Sequence, residues 1–313
     1  MKYSTGILLF FFSLTVHATS PVAFDEVWAY LMAGEERFLA TNAPISDIGY
    51  FGAGLNNFGH LVGVPDRSKL NGWNGRVHLV VAEVSNPALS HFCLNPEYGI
   101  RSRLIQSIVD ASRDFDGVQI DFEQVASRDR DHFLTFLAAI KASIGAKTLS
   151  VALPARTRKI DDAYDYEAVS RIADRVIVMA YDEHWSGGKP GPIATIAWCE
   201  RVSAWALSTI GSDKLVMGLP FYGRAWADAN PARAYRYSAL ENLIREKGIA
   251  EINRTADIPW FQYRETVTVT VYFEDERSLS ARARMYHDAD VSGIAFWRLG
   301  QEDSQIWSFL SLR

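Results

Sequence analysis

Cysteine is almost absent from this sequence: Cys93 and Cys199 are the only two in 313 residues. At most one disulfide can form, which excludes a small cross-linked scaffold. A cysteine nucleophile would need a base partner, and nothing near either thiol suggests one, so none is expected. Long apolar runs are missing after the first twenty residues, so no internal segment is expected to span a membrane. Basic charge is not in excess. The net charge of −5 leaves no electrostatic footprint for nucleic acid. The histidines are scattered, with His60, His91 and His184 far from any ligand spacing, so no catalytic metal and no cofactor are expected. Low-complexity tracts and repeats are lacking as well, so nothing divides the chain into an array of units.

Aromatic residues are abundant: nine Trp, thirteen Tyr and seventeen Phe. Most must be core, but aromatic faces also stack on sugar rings, which weakly favours a carbohydrate ligand. At the N-terminus, Lys2 precedes an apolar run from Gly6 to Val16, and Val16-His17-Ala18 offers a small residue at a cut site. That is the layout of a signal peptide over residues 1–18. The run of about eleven apolar residues is short of the ~20 that a spanning helix needs. Export to a secreted, periplasmic or cell-envelope location is therefore expected.

One segment carries more information than any other: Asp116-Gly117-Val118-Gln119-Ile120-Asp121-Phe122-Glu123. Val118, Ile120 and Phe122 alternate with Gln119, Asp121 and Glu123, the pattern of a strand with one apolar and one polar face. Amphipathic helical stretches precede it (Arg101 to Phe115) and follow it (Asp131 to Ile144). A strand between helices indicates a parallel sheet covered on both faces. Burying two acids there costs several kcal/mol unless they are hydrogen-bonded or neutralised. Chemistry is a sufficient reason to accept that cost. Asp116, at the strand's start, reads as structural, capping the turn before Gly117.

Further strands are expected at Val27–Leu31, Ile48–Phe51, Val77–Val84, Leu149–Leu153, Val176–Ala180, Leu215–Leu219 and Gly293–Trp297, with helical stretches between many of them. Helices are expected over Tyr166–Ala173, Ile193–Ile210 and Ser304–Leu312. Eight strands in βα order predict an α/β fold, a (β/α)8 barrel of ~250 residues over 19–313. Cys93 and Cys199 then fall far apart and are expected to be unpaired. An α+β insertion is expected over residues 228–275, between the seventh and eighth strands. Ser238 with Glu241 suggests a capping box and Gly248 a stop for a helix over Ser238–Lys247. Ile258–Arg264 and Val267–Phe273 read as a hairpin. In a barrel this lobe would wall one side of the site.

Barrels carry their chemistry at the C-terminal ends of strands. The fourth strand ends Asp121-Phe122-Glu123, the sixth Met179-Ala180-Tyr181-Asp182, the seventh Gly218-Leu219-Pro220-Phe221-Tyr222-Gly223-Arg224, and the eighth Phe296-Trp297-Arg298. Acids, tyrosines, an arginine and a tryptophan thus converge on one rim. That combination suits a sugar, with aromatic faces for its ring and a carboxylic acid to protonate a leaving oxygen.

Four segments, Asp116–Glu123, Met179–Asp182, Met217–Trp226 and Ser292–Trp297, resemble the signature segments of glycoside hydrolase family 18, the chitinase-like family. Met179 to Trp185 and Phe296 to Gly300 resemble its spore cortex-lytic, peptidoglycan-directed branch more than typical chitinases. The resemblance runs from about Val27 to the C-terminus. It implies substrate-assisted, retaining cleavage of β-linked N-acetylglucosamine glycans, of peptidoglycan or chitin type. Glu123 would protonate the glycosidic oxygen, and the substrate's own acetamido carbonyl would attack the anomeric carbon. Asp121 would hold the acetamido N–H and stabilise the positive charge, and Tyr181 would orient the carbonyl. Gln119, Asp182, Tyr222, Arg224 and Trp297 would bind substrate. Gln119 departs from the commonest pattern, which has a further Asp there, so one like-charge interaction with Asp121 is missing.

Each residue also admits a structural role. Glu123 or Asp121 could be a hydrogen-bonded core acid, Tyr181 and Tyr222 core tyrosines, Asp182 a loop acid neutralised by Arg224, and Trp297 a core filler. Rival functions are a non-hydrolytic N-acetylglucosamine-binding barrel, which usually lacks the acid at Glu123, an endoglycosidase acting on N-linked glycans, and a partner-binding module.

Overall fold

The structure is a computed structural model and describes residues 20–313 apart from residues 228, 229 and 265. The expected signal peptide lies outside the described residues. Eight parallel strands form the centre: Glu26–Met32 (β1), Asp47–Leu55 (β2), Arg76–Glu83 (β3), Gly117–Phe122 (β4), Thr148–Pro154 (β5), Arg175–Met179 (β6), Leu215–Pro220 (β7) and Gly293–Trp297 (β8). Each pairs with the next, and β8 pairs with β1, so the sheet closes into a barrel with no free edge. The expected (β/α)8 barrel is the observed one.

Period-2 patterning decides which way each side chain faces. On β4, Val118, Ile120 and Phe122 belong to the large core between barrel and helices. Phe122 stacks on Phe136 of the helix Arg130–Ser143, with ring centroids 5.8 Å apart. Burying such a side chain contributes roughly 1.5–3 kcal/mol. Gln119 and Asp121 consequently point into the barrel. A small inner core of Trp28, Tyr30, Val80, Ile177, Val216 and Ala295 fills the barrel interior.

The N-terminal end of the barrel is closed by charge. Arg76 binds Asp47 through Nε (2.6 Å) and Glu26 through Nη2 (2.8 Å), while Arg175 reaches Glu26 at 2.8 Å. All four sit at strand starts, so access to the interior is left to the opposite end. There, between β7 and β8, a lobe rises on a five-stranded antiparallel sheet. Its order is Asn230–Tyr235, Gly223–Ala227, Thr268–Tyr272, Ile258–Arg264, Asn253–Thr255. This sheet begins at Gly223, earlier than the expected boundary. The lobe is tied to the barrel by Glu35, which pairs with both Arg236 and Arg298.

Two local expectations fail. The lobe helix is Tyr237–Glu246 with Arg236 as its cap, so Ser238 lies inside the helix and makes no capping box. Tyr237 N–H bonds to Gln301 O at 3.0 Å, and this tertiary contact starts the helix one residue early. Gly248, at φ +62°, does follow the helix end. Ser304–Leu312 is not one helix. Ser304–Phe309 is 3-10, and Leu310–Leu312 pairs in parallel with Val22–Phe24. Cys93 and Cys199 are both buried and unpaired. Among the described residues, no helix is long and apolar enough to cross a membrane.

Candidate active site

The C-terminal mouth of the barrel opens into a cavity of about 530 Å³. Seven of the eight expected residues line it: Asp121, Glu123, Tyr181, Asp182, Tyr222, Arg224 and Trp297. Asp121 is the penultimate residue of β4, and Glu123 follows that strand, exposed to the cleft. Tyr164 holds the chain on both sides of Glu123: its hydroxyl donates to Phe122 O and accepts from Val125 N–H, each at 2.9 Å.

Tyr181 and Asp182 follow β6, and Tyr222 and Arg224 follow β7. Asp182 sits at φ +60°, a left-handed conformation that Asp tolerates better than most residues. Its carboxylate accepts from Tyr222 Oη (2.5 Å), Arg224 Nε (3.0 Å) and Arg224 Nη2 (2.6 Å). The guanidinium also lies over the Tyr222 ring, 5.1 Å from its centroid. One wall of the cleft is therefore a preformed polar assembly. Trp297 ends β8 and its ring packs against those of Tyr30 (5.2 Å) and Phe51 (5.1 Å). Its half-buried ring forms an apolar surface beside the acids.

The two carboxyls differ in setting. Asp121 is 5% exposed, and its Oδ1 has no hydrogen-bond partner among the described residues. Burial, and next the charge of Glu123, push its pKa up to about 8. Glu123 is also raised, first by partial desolvation and then by the charge of Asp182. At neutral pH Asp121 accordingly holds a proton, and Glu123 keeps its proton to higher pH than an ordinary surface glutamate does. Burial raises the Tyr181 hydroxyl well above its ordinary value, so it stays a neutral donor over the cleft. Among the described residues, no cluster of three or more His, Cys, Asp or Glu side chains is disposed to hold a metal ion.

Gln119 is the exception. It is fully buried and does not line the cavity. Its Oε1 accepts from Tyr30 Oη (2.6 Å), and its Nε2 donates to Ser150 Oγ (3.1 Å). The structure does not bring Gln119 to the cleft; it bonds to Tyr30, which packs against Trp297. Gln119→Leu strands the Tyr30 hydroxyl in the barrel, at a cost of roughly 1–3 kcal/mol. Thermal unfolding of the variant should drop by several degrees, and an unchanged midpoint would remove the anchoring role.

Phe51, Gln301 and the positioning residue Tyr164 were not expected. Phe51 ends the second predicted strand and was open to the same strand-end reading as the others. Gln301 and Tyr164 lie in loops, where periodicity says nothing.

Comparison with known proteins agrees with this fold. Residues 93–302 match the family model for Glycosyl hydrolases family 18. The cortical fragment-lytic enzyme of Bacillus subtilis is 30% identical over 266 residues, covering 78% of this chain and 62% of that protein. The chain spans less than two thirds of such curated relatives. Among solved structures, the Bacillus cereus spore cortex-lytic enzyme SleL superposes with a TM-score of 0.83 at 25% identity, covering 94% of this chain and 76% of the other. A chitinase from Chromobacterium violaceum gives 0.80 at 25% identity, covering 91% and 98%.

Proposed function

The chain belongs to glycosyl hydrolase family 18, and from that premise we propose that it hydrolyses β-linked N-acetylglucosamine glycans with retention, using the substrate's acetamido group as nucleophile. The observation that carries this reading is the arrangement of Asp121 and Glu123. A buried, proton-holding acid and a cleft-facing acid line the same cavity as Tyr181. Glu123 donates its proton to the glycosidic oxygen as the C1–O bond breaks. The acetamido carbonyl oxygen closes on C1 and forms an oxazolinium. Its positive charge favours ionisation of Asp121, whose proton passes to water in the cleft and returns when the oxazolinium is hydrolysed; in between, the carboxylate accepts the acetamido N–H. Glu123, now a carboxylate, takes a proton from water, and that water opens the ring at C1. Tyr181 donates to the acetamido carbonyl and sets its line of attack, while Trp297 lies under the sugar face.

The relatives named for the spore cortex support a peptidoglycan-type glycan in preference to chitin. Residues 1–18 read as a signal peptide, and with those relatives they support action outside the cell or in its envelope. The test runs N-acetylglucosamine oligomers, intact peptidoglycan, an N-glycoprotein and cellulose oligomers in parallel, with products read by mass spectrometry. N-acetylated glycans should be cut and the cellulose series left intact. A thiazoline analogue of the oxazolinium should inhibit well below substrate concentrations, because it mimics a species close to the transition state. Efficient cleavage of cellulose oligomers would sink the mechanism.

A further inference from the structure

Gln301 lies four residues beyond Trp297 on the loop leaving β8, and it lines the cavity. It is 8% exposed, and its Oε1 is buried with no hydrogen-bond partner among the described residues. The great majority of buried polar atoms are paired, so such an exception asks for a reason. The neighbouring polar wall offers it nothing, because Asp182, Tyr222 and Arg224 are bonded to one another.

The loop itself is held firmly. Leu299 N–H donates to Tyr30 O (2.9 Å), Gln301 N–H to Arg298 O (3.2 Å), and Tyr237 N–H to Gln301 O (3.0 Å). Arg298 and Arg236 share Glu35. Gly300, at φ +81°, lies so close under Phe38 that a Cβ would come within 2.5 Å of its ring. A polar side chain presented from so rigid a loop suits binding, since little freedom remains to be lost. A carboxamide offers donors and an acceptor without charge, which matches hydroxyl and acetamido groups. A half-turn of its terminal bond exchanges oxygen for nitrogen, so either can meet the cleft. An apolar side chain of equal size would fill the wall without an orphaned atom.

We propose that Gln301 is a specificity-determining residue whose carboxamide hydrogen-bonds a hydroxyl or acetamido group of the sugar lying on Trp297. This rests on the glycan reading above. The test uses the Glu123→Gln protein, which is expected to bind substrate while cutting it about 10²–10⁴ times more slowly, and adds Gln301→Met. Calorimetric titration with the N-acetylglucosamine tetramer should show about five- to tenfold weaker binding, the loss of one neutral hydrogen bond. The thermal midpoint should stay level or rise, since an unpaired buried atom is gone. Affinity within twofold of the parent overturns the proposal. Independently of that variant folding, the Gln301 side-chain amide resonance should shift when tetramer is added. A static Gln301 resonance while the Trp297 indole signal moves also overturns it. Wild-type turnover of the same tetramer is scored separately. Cleavage with a silent Gln301 sinks this inference alone, and binding through Gln301 without cleavage sinks the enzyme reading alone.

Discussion

Glu123→Gln is expected to turn over N-acetylated oligomers about 10²–10⁴ times more slowly than wild type while still binding them, the range for loss of a positioned general acid. The substitution keeps the shape of the side chain, and the pinning of this segment by Tyr164 on either side uses backbone atoms only. What is lost is a proton of suitable strength at the rim. Two further signatures separate this from a structural effect. An aryl glycoside whose leaving group needs no proton should suffer far less than the oligomer. The alkaline limb of the pH–rate profile, which in wild type reports a donor raised by desolvation and by Asp182, should disappear. Near wild-type turnover on the oligomer, or equal losses on both substrates, would mean that another group donates the proton.

The barrel and most of the rim were legible because they rest on local patterns. Alternation along 118–122 shows which face of the strand is apolar, and the strand-end rule then brings Asp121, Tyr181, Tyr222 and Trp297 to one mouth. Depth along the barrel axis was not legible. Gln119 shares a face with Asp121 and Glu123, but two residues of strand put it about 6.6 Å deeper. There it meets Tyr30 from β1 and Ser150 from β5, partners that no local pattern links to it. The same limit hid Gln301, whose place depends on Tyr30, Glu35 and Tyr237, and it misplaced the cap at Ser238. Alternation reports a face; which residue meets which across the barrel follows from closure.

Asp121→Asn should both slow the enzyme and stabilise the fold, with a pH signature that identifies the cause. The rate loss follows from removing the ionisable group that the proposed cycle sets against the acetamido N–H. Charge stabilisation by a preorganised group is worth on the order of 10²–10³ in rate, and an amide supplies a dipole in place of a charge. The stability change follows from linkage. Unfolded, this side chain titrates near ~3.9; folded, it titrates at about 8. Between those values the native state keeps a proton that the unfolded chain has released, so stability falls as pH rises through the window and levels off above about 8. A shift of this size amounts to a few kcal/mol at the alkaline end, at one pKa unit per ~1.4 kcal/mol with allowance for relaxation. Asparagine does not ionise, so it removes that penalty. The variant's thermal midpoint should sit close to wild type near pH 4 and exceed it by several degrees at pH 8 to 9, after which the gap stays constant. A gap that is flat across the range would mean that Asp121 titrates like an exposed carboxylate. A variant less stable at every pH would mean that the acid makes native bonds the amide cannot replace. A flat gap would remove the proton-holding acid on which the proposed cycle depends.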